Sequence, residues 1–249
     1  MKHRWLWAPL FGIRIQRAVA LTGVSALLFV LAGARMLTAQ QVSAKSGNVV
    51  YRDAGGIMHT ITTAGLDSEA VLSPNGRWIA FLRTSQTDST DSMRDDRDME
   101  PLTDLFIVDT SGFAPRLLLR GGAMERAVPH GFPDALTGIG FSNDGATIYA
   151  RCRVAPTGDA LYAVSVSTGA ARRVTFADDY EVIRSGPNRG RLLVSQSSIW
   201  RRGGRVWAWY LFAANGTRLA FVTLDARPDA AVRLAAVGAR TARPMGVHR

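Results

Sequence analysis

A tight turn between two apolar runs constrains the fold of this chain more than any other feature. The turn consists of Ser73, Pro74, Asn75 and Gly76. Proline presets φ for the first central position of a turn, and the Asn and Gly that follow it tolerate left-handed backbone conformations. The flanking runs, 69–72 and 77–83, are rich in residues that favour strands. This stretch is therefore predicted to be a tight β-hairpin.

The hairpin pattern occurs again further along the chain. Ser142, Asp144 and Gly145 stand where the first copy has Ser73, Asn75 and Gly76. Each copy continues into a strand that starts with aspartate, a Ser-Gly or Thr-Gly turn and an arginine-containing strand. A degenerate third copy covers 182–223, and a partial unit precedes the first copy at 48–65. The chain is predicted to contain three units of four strands and one partial unit.

Repeats of this kind predict an all-β fold, a β-propeller of four-stranded antiparallel blades. A period of roughly 40–45 residues with four short strands is typical of propeller blades. The segments 105–108 and 206–212 are continuous apolar runs, as expected for strands covered on both faces. The ring has about four blades or is incomplete. Ala231–Val237 could pair with the partial unit to close it; otherwise the ring is open or shared with another chain.

The repeats resemble a known family. Ser-Pro-Asn-Gly-Arg-Trp-Ile-Ala-Phe at 73–81, followed by Asp-Leu-Phe-Ile-Val-Asp at 104–109, is similar to the WD40-like propeller repeat of the TolB type, also called the PD40 repeat. The resemblance is good at 139–166 and weak at 182–223. It implies a propeller fold and an interaction role in the cell envelope.

The N-terminal residues 1–44 are predicted to be a signal peptide or a membrane anchor. Four basic residues precede the apolar run 18–32, and small residues follow it, as in a secretory signal. Cleavage is expected after Ala39 or after Ala44. The apolar run is shorter than the roughly 20 residues of a spanning helix, and the alternative is an uncleaved anchor, which would be the only membrane contact. The expected location is periplasmic or secreted.

The excess positive charge lies at the two ends of the chain. The formal net charge is +10, but 1–44 holds five basic residues and no acid, and 226–249 holds five arginines against Asp229 alone. The body at 45–225, the predicted propeller, is therefore close to neutral. A nucleic-acid-binding domain should carry a basic face on its folded part, so nucleic acid is not an expected partner. The segment 226–249 is predicted to combine the closing strand with a basic tail.

No catalytic, metal or cofactor site is predicted from the residues. There is no Gly-x-Ser-x-Gly motif, and His59, His130 and His248 are each isolated in sequence. The acidic insert 84–103 lacks the spacing of a calcium loop, so a disordered solvated loop is the preferred interpretation and a calcium site the alternative. The single cysteine, Cys152, is expected to be buried in a strand.

The aromatic residues near the C-terminus have two interpretations. They are Trp200, Trp207, Trp209, Tyr210 and Phe212. Packing between blades is preferred over a sugar-stacking platform, because aromatic side chains dominate protein cores.

These observations favour an exported, non-enzymatic β-propeller that binds a protein or peptide. One alternative is an accessory propeller that filters substrates for a prolyl-oligopeptidase-like hydrolase supplied in trans. Another is a propeller enzyme that acts on carbohydrate through its carboxylates. The oligomeric state is not determined by the sequence.

Overall fold

A computed structural model of the chain describes residues 39–85, 102–121, 135–155, 158–199 and 205–224. They form four antiparallel sheets in chain order. The first sheet contains β1 (Gln41–Lys45), β2 (Asn48–Arg52) and β3 (Met58–Thr60). The second contains β4 (Asp67–Leu72), β5 (Trp78–Thr84), β6 (Thr103–Asp109) and β7 (Pro115–Leu119). The third contains β8 (Leu136–Phe141), β9 (Thr147–Ala155), β10 (Gly158–Ser165) and β11 (Ala171–Phe176). The fourth contains β12 (Asp179–Val182), β13 (Leu192–Ile199), β14 (Arg205–Phe212) and β15 (Arg218–Leu224).

Neighbouring sheets pack face to face, so their middle strands are apolar on both sides. In β5, Ile79 and Phe81 pack with residues of the first sheet, whereas Ala80 and Leu82 pack with residues of the third. A separate cluster joins the third and fourth sheets through residues such as Leu161 and Phe212. Successive side chains of a strand point to opposite faces. This alternation explains the continuous apolar runs seen in the sequence.

The first strands of the last three sheets lie side by side and run in the same direction. The β4 strand lies beside β8, and β8 lies beside β12. The Glu69 carboxylate of β4 accepts the Ile139 N–H of β8 at 3.1 Å, and Asn75, in the turn after β4, lies beside Gly145, in the corresponding turn after β8. These three strands form the inner edge of the assembly. The fold is all-β, a β-propeller, and confirms the predicted fold class.

The first sheet lacks the innermost strand among the described residues. Its β1 strand lies beside β4 but runs in the opposite direction. The Gln40 side chain before β1 contacts Gly76, which follows β4, and the Gly47 carbonyl after β1 accepts the Asp67 N–H at the start of β4 at 2.8 Å. The strands β1, β2 and β3 therefore correspond to the second, third and fourth strands of a complete blade.

Several predicted segments lie outside the described residues. They are most of the acidic insert 84–103, residues 1–38 of the predicted signal or anchor, His130, Trp200, and the segment 226–249 with its predicted closing strand Ala231–Val237. Where the chain is described, no helix is long and apolar enough to cross a membrane.

Two boundaries differ from the sequence-based expectation. The β1 strand begins at Gln41, inside the segment 1–44 that was assigned to the signal or anchor. In the degenerate third copy, β12 ends at Val182 and β13 starts only at Leu192, so a long turn replaces the predicted tight hairpin. The turn is closed by Asn188, which is buried and accepts a hydrogen bond from Arg191 at 2.7 Å.

Candidate functional site

The two ends of the propeller differ in their connections. One end carries tight turns, 73–77 and 110–114 in the second sheet and 142–146 and 166–170 in the third; we call it the turn end. The β5–β6, β7–β8 and β13–β14 connections leave from the opposite end, which we call the insert end. The two clefts described below both lie at the turn end.

The predicted turn residues of the second sheet hold the hairpin through side-chain hydrogen bonds. Ser73 is buried, and its hydroxyl donates to Asn75 Oδ1 at 2.7 Å and accepts the Trp78 N–H at 2.8 Å. Pro74 is exposed at the first central position of the turn. The Ser side chain thus satisfies the first backbone donor of β5, which the turn would otherwise leave without a partner.

The third sheet repeats this network with aspartate in place of asparagine. The Ser142 hydroxyl donates to Asp144 Oδ1. Asp144 Oδ1 accepts the Ala146 N–H at 3.0 Å, as Asn75 Oδ1 accepts the Arg77 N–H at 3.1 Å. The hydrogen bond from Ser142, followed by that from Ala146, holds the pKa of Asp144 below its ordinary value. The role of these residues is to shape the turn.

Both hairpin turns end on a buried glycine. Gly76 has φ of +71° and Gly145 has φ of +72°, in the region that side chains disfavour. Their N–H groups donate to the Ser73 and Ser142 carbonyls at 2.9 and 3.1 Å. The sequence position of each glycine is thereby explained by its backbone conformation.

The first cleft lies between the first and second sheets and has a volume of about 470 Å³. Its principal lining residues are Gln40, Tyr51, Asp53, His59, Ser111 and Phe113. No lysine or arginine is among the described residues that line it. The cleft therefore combines aromatic rings, hydroxyl and amide groups and one carboxylate.

His59 is not isolated in the structure, in contrast to its position in the sequence. Its Nε2 lies 3.0 Å from Asp53 Oδ2. Its ring stacks on Phe113 of the second sheet, with centroids 4.7 Å apart. The hydrogen bond with His59, followed by that from the Ile57 N–H, lowers the pKa of Asp53. The sequence does not indicate this group, because His59 and Phe113 come from different sheets.

The second cleft lies between the second and third sheets and has a volume of about 610 Å³. Its lining includes Arg77, Trp78, Arg116, Asp144, Val166 and Ser167. The Arg77 guanidinium lies 4.9 Å from the centre of the Trp78 ring and is hydrogen-bonded to Asp109 at 3.3 Å. Arg116 donates to the Val166 carbonyl at 3.0 Å. Two arginines and a tryptophan give this cleft a basic and aromatic character.

Polar groups at the inner edge near the insert end are engaged in contacts between sheets. Arg151 donates to the Asp178 carbonyl of the next sheet and lies 3.5 Å from Asp159. The Tyr180 hydroxyl donates to the Tyr149 carbonyl at 2.9 Å, and burial raises the pKa of Tyr180. These groups fix the relative placement of the third and fourth sheets.

The aromatic residues of the fourth sheet are mainly packed. Phe212 is buried against the third sheet, with Tyr210 partly buried beside it. Trp209 is also buried, on the other face of β14. Trp207 is 43% exposed. The preferred interpretation of packing between blades is confirmed for Phe212, whereas Trp207 lies at the surface. Cys152 is fully buried in β9, as expected.

The two clefts present charged groups, aromatic rings and hydrogen-bonding groups. In the ranges that the structure describes, no three His, Cys, Asp or Glu residues come together as a metal site. Among the described residues that line the first cleft, Ser111 is the one serine, and it donates its hydroxyl to Asp109 at 2.6 Å.

Among known proteins, similar ones are found only by comparing structures. No family model matches the chain, and no curated protein sequence matches it significantly. The structure is similar to dipeptidyl peptidase 4 from Porphyromonas gingivalis, with 9% identity, a TM-score of 0.48, and coverage of 74% of this chain and 31% of that chain.

Two further solved structures are similar to this chain. TolB from Acinetobacter baumannii has 17% identity, a TM-score of 0.43, and coverage of 73% of this chain and 41% of that chain. The β-propeller domain of the Trilobed protease from Pyrococcus furiosus, described as having an open velcro topology, has 10% identity and a TM-score of 0.49. That match covers 74% of this chain and 52% of the other. The chain thus spans 31% to 52% of the length of these three proteins.

Proposed function

We propose that this chain is an exported, non-enzymatic β-propeller with TolB-type WD40-like repeats that binds a protein or peptide partner in the cell envelope. The turn end of the propeller is the binding face. The partner is an extended polypeptide segment that crosses the clefts on either side of the second sheet.

The observation that carries this proposal is the pair of neighbouring clefts at one end. The first contains a carboxylate, Asp53, and the second contains two arginines, Arg77 and Arg116. The turns of the second sheet lie between the two clefts. Ser111, in the 110–114 turn, lines the first cleft, and Arg77, in the 73–77 turn, lines the second. An extended peptide presents charged side chains of either sign along its length. It therefore complements two adjacent clefts of which the first carries one carboxylate and the second carries two arginines beside the carboxylate of Asp144.

Export to the envelope is proposed from the N-terminal sequence. The basic residues, apolar run and small residues of 1–44 are arranged as in a secretory signal. The near-neutral charge of the body agrees with a protein or peptide partner rather than nucleic acid.

Site-specific photo-cross-linking tests the proposal. A photoreactive amino acid is placed at Ser111 in residues 40–249, and the protein is mixed with an extract of the source cell envelope. We expect one protein to be cross-linked and the attached fragment to be a single contiguous peptide. A matched probe at Arg189, an exposed turn position of the fourth sheet, serves as the control.

Charge reversal then tests whether the second cleft, rather than another part of the turn end, holds the partner. Arg77→Glu combined with Arg116→Glu should abolish capture, whereas Arg189→Glu should leave it unchanged. Equal capture by both variants would place the partner elsewhere. Retention of a polysaccharide instead of a protein would contradict the proposal and favour a carbohydrate-binding propeller.

A further inference from the structure

Phe113 has a left-handed backbone conformation at a turn position where the third sheet has glycine. Phe113 has φ of +53°, and its N–H donates to the Asp109 carbonyl at 2.9 Å. In the third sheet, Gly169 has φ of +73°, and its N–H donates to the Ser165 carbonyl at 2.8 Å. Left-handed backbone is disfavoured for residues with a side chain, and such residues are concentrated at functional sites. The turn itself does not require phenylalanine, as Gly169 shows.

The ring of Phe113 builds an aromatic wall in the first cleft. It stacks on His59 with centroids 4.7 Å apart and an angle of 29°, and its centroid is 6.1 Å from that of Tyr51. His59 and Tyr51 belong to the first sheet, whereas Phe113 belongs to the second. The strained residue therefore completes a wall that neither sheet provides alone.

A carboxylate lies beside this wall. Asp53 is held by His59 through Oδ2 and by the Ile57 N–H through Oδ1, at 3.0 and 2.9 Å. The hydrogen bond with His59 and that from Ile57 lower the pKa of Asp53, so it is ionised at neutral pH. Its side chain remains 29% exposed. No lysine or arginine of the described lining neutralises it.

We propose that the cleft between the first and second sheets binds the basic side chain of an arginine residue in the partner. The guanidinium lies against the aromatic wall and pairs with the Asp53 carboxylate. Planar guanidinium groups stack on aromatic faces and form directional hydrogen bonds to carboxylates. A cavity of about 470 Å³ has room for such a side chain. This inference rests on the proposed function, because it identifies the chemistry by which that face recognises its peptide.

Titration with a small arginine derivative tests the site directly. The probe is Nα-acetyl-L-arginine amide, added at millimolar concentrations to isotope-labelled residues 40–249 and followed by NMR chemical shifts. We expect saturable shifts at Asp53, His59 and Phe113. The citrulline analogue has the same shape without the charge and should bind about tenfold more weakly or not at all.

Three variants separate binding from folding. Phe113→Gly should weaken binding about tenfold, while relief of the positive φ offsets part of the packing lost against His59 and Tyr51, so the variant should still unfold cooperatively. Asp53→Asn should weaken binding by a similar factor, and its amide oxygen can still accept the Ile57 N–H. Asp104→Asn removes the same charge at the insert end, away from both clefts, and should leave binding unchanged, since the amide oxygen can still accept the Gly121 N–H.

The outcomes distinguish this inference from the proposed function. Absence of saturable shifts at the cleft, equal binding of the citrulline analogue, or stronger binding of a methyl glucoside overturns the arginine site. If capture of the envelope protein still depends on Arg77 and Arg116 in that case, the proposed function stands without it. If the arginine derivative binds but no protein is captured, the site stands and the proposed function fails.

Discussion

Asp67 and Arg83 form a two-point ion pair across β4 and β5. Arg83 Nε and Nη2 donate to the two carboxylate oxygens of Asp67 at 2.6 and 3.1 Å. The Asp67 side chain is fully buried, and 24% of the Arg83 side chain is exposed. The guanidinium also lies 4.8 Å from the centre of the Phe106 ring on β6. The pair therefore ties three strands of the second sheet together near the insert end.

Neutralising Asp67 should destabilise the propeller. Asp67→Asn leaves the Arg83 charge partly buried without its partner, and we expect a loss of about 2–4 kcal/mol in the free energy of unfolding, measured with urea at neutral pH. Asp109→Asn is the matched control, because its partner Arg77 is 64% exposed. That variant should lose clearly less stability than Asp67→Asn, because solvent screens an exposed pair. Equal losses in the free energy of unfolding would show that burial of the ion pair does not affect its contribution to stability.

A side chain at Gly76 should also destabilise the fold. Gly76 has φ of +71°, and a Cβ there would lie 2.2 Å from the Gln40 side chain. We expect Gly76→Val to cost at least about 1–2 kcal/mol, because a β-branched residue strongly disfavours this conformation. Gly112 has open space around its Cβ position and an unstrained φ, so Gly112→Val is the control. Equal melting temperatures for the two variants would contradict this explanation.

Acid should weaken the turn of the third sheet through Asp144. Hydrogen bonds from Ser142 and Ala146 lower the pKa of Asp144 from its ordinary value of 3.8. A lowered pKa in the folded state gives a contribution to stability that is complete above the ordinary pKa and is lost as the pH falls through the folded value. Asp144→Asn should flatten the decline in melting temperature below about pH 4. If the melting temperature of the variant declines in acid as steeply as that of the unmodified protein, other groups cause the acid sensitivity.

Removal of the C-terminal segment tests how the first sheet is completed. The innermost position beside β1 is not filled by any described strand, and open strand edges promote pairing with other chains. Truncation after residue 225 should therefore cause dimerisation or aggregation in size-exclusion chromatography. A protein truncated after residue 237 retains Ala231–Val237 and should elute in the same oligomeric state as the full chain. If the shorter protein stays monomeric with an unchanged melting temperature, this segment does not close the ring.

The position of β1 predicts the processing site. Cleavage after Ala44 would leave only Lys45 of this strand, and β2 would lose all but one of its pairs with it. Cleavage after Ala39 leaves Gln41–Lys45 intact. We therefore expect N-terminal sequencing of the exported protein to start at Gln40. A mature N-terminus at Lys45 would contradict the role of β1, and retention of the whole segment would indicate an anchor.

The sequence by itself determined the local structure of the repeats. The Ser73 turn and its copy at Ser142 are defined by short-range hydrogen bonds and by glycine conformations, and both can be inferred from residue types. The apolar runs of β6 and β14 likewise indicated strands covered on both faces. For these features, the residues that interact are close in sequence or share a simple period.

The tertiary structure decided which distant residues meet. Asp53 and His59 of the first sheet join Phe113 of the second sheet in a cleft, although nothing in their spacing indicates a contact. The opposite direction of β1 relative to β4 also depends on how whole sheets pack, and with it the absence of an innermost strand from the described part of the first sheet. Packing between blades is determined by the sum of many weak apolar contacts, which specify no single residue pair in the sequence.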